Sequence, residues 1–575
     1  MKKILLCLFV FSQIAAFGAK EKAPKWMNKQ RKAVVMITAY GENDEKIAEG
    51  LGFFISEDGK LLTGYSLFQG AQRAVATDAD GKTYEIVRIQ GADELYDVIC
   101  CEAEIPKKVA YFPLATVPVA KDAPVYMMLF SKEKKPVYKS GQVTEVSKLK
   151  DSYNYYKTSI PLESTEVNAP VLTETGEVFG FAQSDAGGDK TVSYAVSAGY
   201  TANLKMSNTD MFNSTYTSIG IKKAWPEKEE DALVALYLLS GRQKAKSYLE
   251  TLNDFIATFP NSDDAYQNRA SFYALRRAEM DSTADGQKKY LDLALEDMNR
   301  AVELSDKKAD AYYNNAKLIY NVALTDTTLA DENWSVESAV KTLNQAISIE
   351  DQPVFHQLEG DILLNNKQYQ QAYDSYMIVN RSNMASADSY YWAAKAKQNI
   401  EGADPKELLA LMDSAIAKFG SPTPVSAAPY LLERIEIRQQ LGQYALIVSD
   451  YNLYYELVQG KVNDAFYFFR EQAKSRVGDL DGALSDIQQA IKMNPSDAEY
   501  HAEEASLYVR KKDYVAALAS TEKALSIAPD YAACHRLKGL CLARTGKNSE
   551  ACVALEKAKE LGDPVAERML NEQCK

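Results

Sequence analysis

The sequence predicts a multidomain protein in which an antiparallel all-β region precedes an all-α array of stacked helix pairs. Two observations lead to this fold class. Between about Lys32 and Tyr200, short apolar runs alternate with turn signals such as Asp-Gly. The helical half that follows contains a sequence repeat of 34 residues. The 575 residues also exceed what one hydrophobic core normally holds, so several domains are expected.

The N-terminal residues have the order of charged, apolar and small side chains found in a secretory signal peptide. Met1-Lys2-Lys3 is followed by the apolar run ILLCLFVFSQIAAF and then by small residues. A membrane-spanning helix is disfavoured, because a span needs about 20 apolar residues and Gln13 interrupts a shorter run. We expect removal of residues 1–19, with cleavage near Gly18 or Ala19, and a periplasmic or extracellular mature protein.

Charge and composition narrow the classes of partner. The formal net charge is -13, so no global field attracts the chain to nucleic acid or to an anionic membrane surface. After residue 19 no apolar run reaches membrane-spanning length. The sequence has no glycine-rich phosphate loop and no Cys/His cluster with zinc spacing. We therefore expect no cofactor, no metal, no nucleic acid and no integral membrane segment after cleavage.

The all-β domain is predicted over residues 30–205. Apolar runs such as AVVMITAY, GFFI and RAVAT are separated from their neighbours by turn sequences such as SEDGK and DADGK. Many short strands at this spacing are typical of a sandwich or a barrel. The stretch MSNTDMFNSTYTSI (206–219) is rich in Ser, Thr and Asn, so residues 206–225 are interpreted as a linker.

Residues 226–575 show long helical segments. The clearest repeats are 464–497, 498–531 and 532–565. A small residue at one shared offset lets the two helices of each pair approach closely; these residues are Ala483, Ala517 and Ala551. A 34-residue helical unit with this pattern resembles the tetratricopeptide repeat. The resemblance implies a superhelical solenoid of roughly eight units, whose first helices line a concave groove for a peptide or a partner protein.

Three segments of the β region resemble the exported HtrA (Deg) serine proteases of the trypsin fold. GLGFFISEDGKLLTGYSL follows the family pattern that leads into the catalytic His, and the His position falls on Ser66. DELYDVIC matches the strand that carries the catalytic Asp, with Asp97 in that position. TSIPLESTEVNAPVLTETGEVFG matches the nucleophile segment without an insertion and places the Ser position at Val167. The resemblance implies a trypsin-like double barrel.

The residues at two of these positions do not fit the family's chemistry. The triad mechanism needs an alcohol as nucleophile and an imidazole that takes and returns its proton. Val167 has no nucleophilic atom, and Ser66 cannot act as a base near neutral pH. The three histidines of the chain all lie in the helical half, at His356, His501 and His535.

These losses predict an exported, non-catalytic scaffold that binds a protein or peptide partner. Glycines that surround the nucleophile in the family are replaced by Thr165, Asn168 and Ala169, which removes backbone freedom from the oxyanion turn. Asp97 is then a retained structural carboxylate. The alternative is a trypsin-like peptidase with a non-standard arrangement, such as a Ser–Lys pair, whose repeats bind substrate or partner.

A row of arginines is the candidate partner-binding feature of the repeats. Arg476, Arg510 and Arg544 recur at one offset on the first helices, where they would grip a carboxylate-bearing segment by charge-assisted pairs. The other interpretation is that each arginine meets a nearby acid on a solvated face, such as Asp479 or Asp513.

Aromatic residues are the second candidate feature. Most Tyr and Phe side chains of the helical half are expected in the core between stacked helices. Tyr313 and Phe468 are candidate anchors that face the groove.

The cysteines leave two interpretations open. An exported chain can form disulfides, and one is available among Cys534, Cys541, Cys552 and Cys574. The other interpretation is that the cysteines are small buried thiols.

Overall fold

The computed structural model of the chain describes residues 23–150, 152–326 and 331–574. The predicted signal peptide, residues 1–19, lies outside the described residues. The chain forms two compact units, Met1–Ser305 and Asp306–Lys575, and each is described by itself. None of the described helices combines the length and the apolar character needed to cross a membrane.

The first unit begins with a short helix and a closed six-stranded antiparallel barrel. Its elements are α1 (Lys25–Gln30), β1 (Val34–Tyr40), β2 (Lys46–Phe54), β3 (Lys60–Thr63), β4 (Arg73–Thr77), β5 (Thr83–Asp93) and β6 (Val98–Ala103). The strand order around the barrel is β1-β2-β3-β6-β5-β4. The period-two alternation of the sequence places Ile37, Phe54 and Leu61 in its core.

A second closed barrel of six strands follows. Its strands are β7 (Pro124–Leu129), β8 (Val137–Lys150), β9 (Tyr153–Thr158), β10 (Pro170–Leu172), β11 (Val178–Gln183) and β12 (Ser193–Ser197). They are arranged in the order β10-β11-β12-β9-β8-β7. Phe53 of the first barrel meets Phe181 of the second edge to face, with ring centroids 5.8 Å apart. The double barrel expected from the family resemblance is therefore present.

The segment read as a linker, residues 206–225, packs against the first barrel. Met206, Tyr216 and Ile219 are buried in that barrel's core cluster. The Tyr216 hydroxyl accepts the N–H of Ala92 at 2.8 Å and lies 3.1 Å from the carbonyl of the same residue. The segment does connect the barrels to the helices, but its apolar residues make it part of the folded unit.

Helices complete the first unit. They are α2 (Ala198–Ala202), α3 (Ser214–Thr217), α4 (Glu229–Ser240), α5 (Ala245–Thr258), α6 (Asp263–Leu275), α7 (Arg277–Met280) and α8 (Ala284–Leu304). Arg88 of β5 forms an ion pair with Asp254 of α5, with 2.7 Å between the charged atoms. The first barrel and α5 are thus joined by a partly buried charge pair.

All the secondary structure described in the second unit, residues 306–326 and 331–574, is helical. Its helices are α9 (Lys308–Thr325), α10 (Val336–Ile349), α11 (Pro353–Asn365), α12 (Tyr369–Asn380), α13 (Ala387–Gln398), α14 (Pro405–Ala417), α15 (Ala428–Gln440), α16 (Tyr444–Leu457), α17 (Asp464–Val477), α18 (Leu480–Met493), α19 (Ala498–Arg510), α20 (Tyr514–Ile527), α21 (Ala532–Arg544), α22 (Asn548–Glu560) and α23 (Ala566–Gln573). Consecutive helices pack in pairs from α9–α10 to α21–α22. This arrangement is that of a helical-repeat solenoid.

The last three repeats follow the predicted period. Helices α17, α19 and α21 begin at the first residues of the repeats cut from the sequence. The alanines expected between paired helices are all buried, at Ala483, Ala517 and Ala551. The turn within each pair contains a residue with positive φ at the same offset, at Gly478, Lys512 and Gly546.

The structure resolves the alternatives for the cysteines. Cys552 and Cys574 form a disulfide that ties α22 to the residue after α23. Cys534 and Cys541 are buried free thiols on α21, and burial raises the pKa of Cys541 to about 11. Both interpretations of the C-terminal cysteines therefore apply, each to one pair.

Candidate functional site

Ser66 follows the hairpin of β2 and β3 and is exposed to solvent. The turn contains Gly59 at φ +110°, where an added Cβ would lie 2.4 Å from the carbonyl of Ala103, so only glycine fits. Strand β3 continues into a 3₁₀ turn, Tyr65–Phe68. Tyr65 and Phe68 are buried in the barrel, whereas Ser66 between them is exposed.

Ser66 and Asp97 are in direct contact. The Ser66 N–H donates to Asp97 Oδ1 at 2.6 Å, and the Ser66 hydroxyl donates to Asp97 Oδ2 at 3.1 Å. Both carboxylate oxygens are therefore engaged by one residue. A hydroxyl is not basic near neutral pH, so Ser66 does not supply the base that an imidazole provides at this position of the family.

The turn before Val167 is stabilised by hydrogen bonds between its own residues. It is a 3₁₀ turn, Ser164–Glu166, in which the Glu166 carboxylate accepts the N–H of Glu163 at 2.8 Å. Lys139 contacts the same carboxylate oxygen at 2.5 Å. The N–H of Glu166 donates to the carbonyl of Glu163 at 2.9 Å, which closes the 3₁₀ turn. Val167 itself packs, half-buried, against the core of the second barrel.

Asn168 connects the two segments. It is buried, has φ +67°, and donates its N–H to the carbonyl of Ala182 at 2.8 Å. Gly64, two residues before Ser66, lies against its side chain, because a Cβ on Gly64 would be 2.8 Å from Asn168 Nδ2. The structure therefore brings the chain around Ser66, Asp97 and Val167 to one cleft.

A cavity of about 430 Å³ lies beside Asp97. Gln183 on its wall donates to the carbonyl of Tyr96 at 2.7 Å and accepts from the Tyr155 hydroxyl at 2.9 Å. Burial raises the pKa of Tyr155 to about 12, so this hydroxyl stays protonated near neutral pH. The cavity offers hydrogen-bonding groups, whereas the triad positions offer a hydroxyl, a carboxylate and an apolar side chain.

The three histidines are engaged within the helical unit. His356 lies between Asp351 and Glu359, at 2.6 and 2.7 Å from their carboxylate oxygens. The Nε2 atoms of His501 and His535 lie 3.1 and 2.7 Å from the backbone carbonyls of Pro495 and Pro529. Across residues 23–150, 152–326 and 331–574, no group of three or more His, Cys, Asp or Glu side chains is placed to hold a metal ion.

The arginine row is only partly available to a partner. Both terminal nitrogens of Arg510 bind Ser475 on α17, one of them 2.8 Å from its carbonyl. Arg476 lies over the Tyr444 ring at 5.9 Å. Arg544 is exposed at the end of α21. The acids considered as alternative partners are occupied elsewhere, because Asp479 and Asp513 cap the N-termini of α18 and α20.

The two aromatic candidates differ in exposure. Phe468 is 8% exposed and packs with Ala483 and Ile487 in the core between α17 and α18, so the expectation of a groove-facing anchor is corrected there. Its ring belongs to the core because it packs against α18 of its own repeat and against Tyr500 on α19 of the next repeat, with ring centroids 5.1 Å apart. Tyr313 is half-buried and stacks on Phe355 at 5.1 Å.

Glu471 is a buried carboxyl that the sequence analysis did not single out. It is 1% exposed, and neither carboxyl oxygen has a hydrogen-bond partner. Burial, followed by the charge of Glu503, raises its pKa to about 8. The signal was present in the repeat, since the equivalent positions 34 and 68 residues later hold Ala505 and Gly539, which are small.

A second pattern that was missed joins the helices of individual repeats. A polar side chain on the first helix binds one on the second helix 16 residues later. The pairs are Arg434–Asp450, Arg470–Asp486, Glu504–Ser520 and Glu359–Ser375. The residue types change while the spacing stays, so a search for identical residues does not find the pattern.

Comparisons with known families agree with this architecture. Residues 50–181 match the family model described as "Trypsin-like peptidase domain". Residues 314–538 match the model described as "Tetratricopeptide repeat". The chain therefore contains a protease-fold domain followed by a tetratricopeptide region. No curated protein sequence matches it.

Among solved structures, the chain is similar to the active form of the Rv3671c protease from M. tuberculosis. The identity is 19%, and the match covers 35% of this chain and 96% of that one, with a TM-score of 0.27.

Proposed function

We propose that the protein is an exported, non-catalytic scaffold that binds a protein or peptide partner through its tetratricopeptide region. The observation that carries this proposal is Ser66 at the family's histidine position, bound to Asp97 by both its N–H and its hydroxyl. Val167 at the nucleophile position and the residues that replace the family's glycines around it, Thr165, Asn168 and Ala169, support the same conclusion.

An activity-based probe tests the loss of catalysis. We expect the purified full-length chain to show no labelling with a fluorophosphonate, alongside an active trypsin-like protease as positive control. A Ser66→His/Val167→Ser double variant is also expected to remain unlabelled, because Thr165, Asn168 and Ala169 still stand in place of the family's glycines at the oxyanion turn. Labelling of the natural chain that is abolished by Ser66→Ala or Ser164→Ala would overturn the proposal.

Partner binding rests on the repeats and on the accessible arginines. Tetratricopeptide repeats generally mediate protein–protein interaction, and Arg544 is exposed at the end of α21. We propose a partner segment that carries carboxylates, since guanidinium groups bind these bidentately.

Fluorescence polarisation with defined peptides tests this step. Acidic peptides are compared with amidated neutral versions on the full chain. Losing a charge-assisted hydrogen bond costs about 1.5–3 kcal/mol, so Arg544→Gln should weaken acidic-peptide binding about tenfold or more. Arg568→Gln on α23 removes another exposed arginine and serves as the control. Equal affinity for the acidic and neutral peptides, or equal losses in the two variants, would count against the proposal.

Export is part of the proposal. The charged, apolar and small-residue order of residues 1–19 supports it. The disulfide between Cys552 and Cys574 fits an oxidising compartment. N-terminal sequencing of protein from the extracytoplasmic fraction should give a chain that begins after Gly18 or Ala19. Recovery of the chain with an intact Met1 from the cytoplasm alone would contradict export.

A further inference from the structure

The first unit contains a cavity that none of the family positions touches. It has a volume of about 380 Å³, which is in the range of small-molecule sites. One wall is a single polar face of α5, formed by Ser247, Glu250, Thr251 and Asp254. The opposite wall is the segment from Gly220 to Trp225, which runs from the barrel to the helices.

The walls of this cavity are held by hydrogen bonds, so the site is largely preformed. Asp254 accepts two hydrogen bonds from Arg88, at 2.7 and 3.1 Å, and one from Trp225 Nε1 at 2.9 Å. The N–H of Ile89 donates to the carbonyl of Lys222 at 2.8 Å, which ties the opposite wall to β5. Both carboxylate oxygens of Asp254 therefore accept hydrogen bonds that hold the walls of the cavity in place.

Lys223 is one of the residues that line this cavity. It is half-buried, and its Nζ donates to the backbone carbonyl of Ile219. In the part of the chain that the structure describes, no carboxylate lies within 4.0 Å of this Nζ. Burial alone lowers the pKa of Lys223 to about 8. About one-tenth of this side chain is therefore a neutral amine at pH 7, which is the form that attacks carbonyl carbon.

We propose that this cavity binds a small aldehyde or ketone and holds it as an imine on Lys223 Nζ. The amine lone pair attacks the carbonyl carbon, and a C–N bond forms. The carbonyl oxygen leaves as water with the two amine protons, so no oxidant or reductant is needed. Glu250, an exposed acid on the α5 wall, and Lys222, which lies 4.0 Å from Asp254, are the other charged groups at the cavity.

The adjacent Lys222 provides an internal comparison. Its side chain is 64% exposed, so it provides a solvent-exposed comparison in the same peptide. At pH 7 an amine of pKa about 8 is roughly one-tenth free, which is about 200 times the free fraction of the lysine side chain in model peptides. Because a weaker base is also a weaker nucleophile, we expect Lys223 to react about tenfold faster than Lys222, not several hundredfold.

Reductive trapping on the full-length protein tests the proposal. Aldehydes from propanal to benzaldehyde are added with cyanoborohydride, and the alkylation of each lysine is followed by peptide mass spectrometry. Lys223 should be alkylated about tenfold faster than Lys222, and its rate should saturate with at least one aldehyde. Denaturing urea should abolish the difference.

Three results would overturn the proposal. The first is a Lys223 rate no higher than that of Lys222. The second is a rate that rises linearly with the concentration of every aldehyde, since that describes a reactive lysine without a binding site. The third is the same rate ratio in urea, because the preference would then come from local sequence and not from the cavity.

Discussion

Replacing Glu471 by Gln should stabilise the region around α17 in a pH-dependent way. The carboxyl is 1% exposed and has no hydrogen-bond partner. Burial raises its pKa most, the charges of Glu503 and Asp486 add to the rise, and Arg510 opposes it. The amide of glutamine has nearly the same shape and carries no charge. The substitution therefore removes the titration while the buried volume stays the same.

The magnitude follows from the pKa. The folded chain binds the Glu471 proton up to about pH 8, whereas the unfolded chain releases it near 4.5. In this window the folded state holds more protons, so its stability falls as the pH rises. Each pH unit costs about 1.4 kcal/mol, which gives an upper estimate of about 3 kcal/mol at pH 7. Below about pH 4.5 the contribution vanishes, and above about pH 8 it stays constant.

Urea-dependent hydrogen exchange of the α17 amides measures this effect locally. A local measurement is needed because a chain with two units and a repeat array does not unfold in a single two-state transition. Protection free energies are compared at pH 5, 6, 7 and 8 after the intrinsic pH dependence of exchange is removed. Glu471→Gln should gain little at pH 5 and up to about 3 kcal/mol at pH 7.

A matched control makes the outcome decisive. Glu522→Gln on α20 changes a carboxylate whose side chain is 57% exposed, so its effect should stay within about 0.5 kcal/mol at every pH. If Glu471→Gln stabilises α17 no more than this control stabilises its own helix, the buried charge of Glu471 does not destabilise α17. An equal gain at pH 5 and at pH 8 would also rule out titration of Glu471 as the cause.

Three further predictions concern the repeats. Lys512 has φ +64°, and the equivalent residue of the preceding repeat is Gly478. Lys512→Gly should therefore raise the free energy of unfolding by about 0.5–1 kcal/mol in urea unfolding. A loss of stability would show that Lys512 is not strained. Arg470 and Asp486 form a buried ion pair. Removing only Asp486 should lower the free energy of unfolding by about 3–5 kcal/mol, because it leaves the Arg470 charge buried and unpaired. A double-mutant cycle should show a smaller loss when both side chains are removed. Burial lowers the pKa of His356, but its carboxylate partners Glu359 and Asp351 outweigh this and raise the pKa overall. The protonated histidine therefore stabilises the fold at low pH, so His356→Gln should destabilise the protein more at pH 6 than at pH 9. Equal losses at the two pH values would contradict this.

The repeat boundaries could be predicted because their determinants are local. The sequence cut at Asp464 coincides with the start of α17, and the small residues at Ala483 and its equivalents lie between paired helices. The environment of Phe468, in contrast, could not be predicted from the local sequence. Helical spacing gives the face of a helix on which a ring lies, but it does not say whether that face meets a partner helix or the groove.

The segment 206–225 could not be placed from composition. Its Ser, Thr and Asn content is typical of a linker, but a few apolar residues such as Met206 and Tyr216 decide its position by entering the barrel core. The cavity beside Lys223 depends on this same packing. Its two walls, α5 and the residues around Lys223, are brought together by tertiary contacts that no sequence period reports.

The contact between Ser66 and Asp97 gives a structural reason for an acid at this position. Asp97 has φ +49°, a backbone conformation that aspartate tolerates better than most residues. Its carboxylate binds the backbone N–H of Ser66 at 2.6 Å, a contact that any residue at position 66 with this backbone could make. The acid therefore holds the turn independently of the side chain there. That bond does not require an imidazole at position 66, whereas loss of the acid would remove both hydrogen bonds between Ser66 and Asp97.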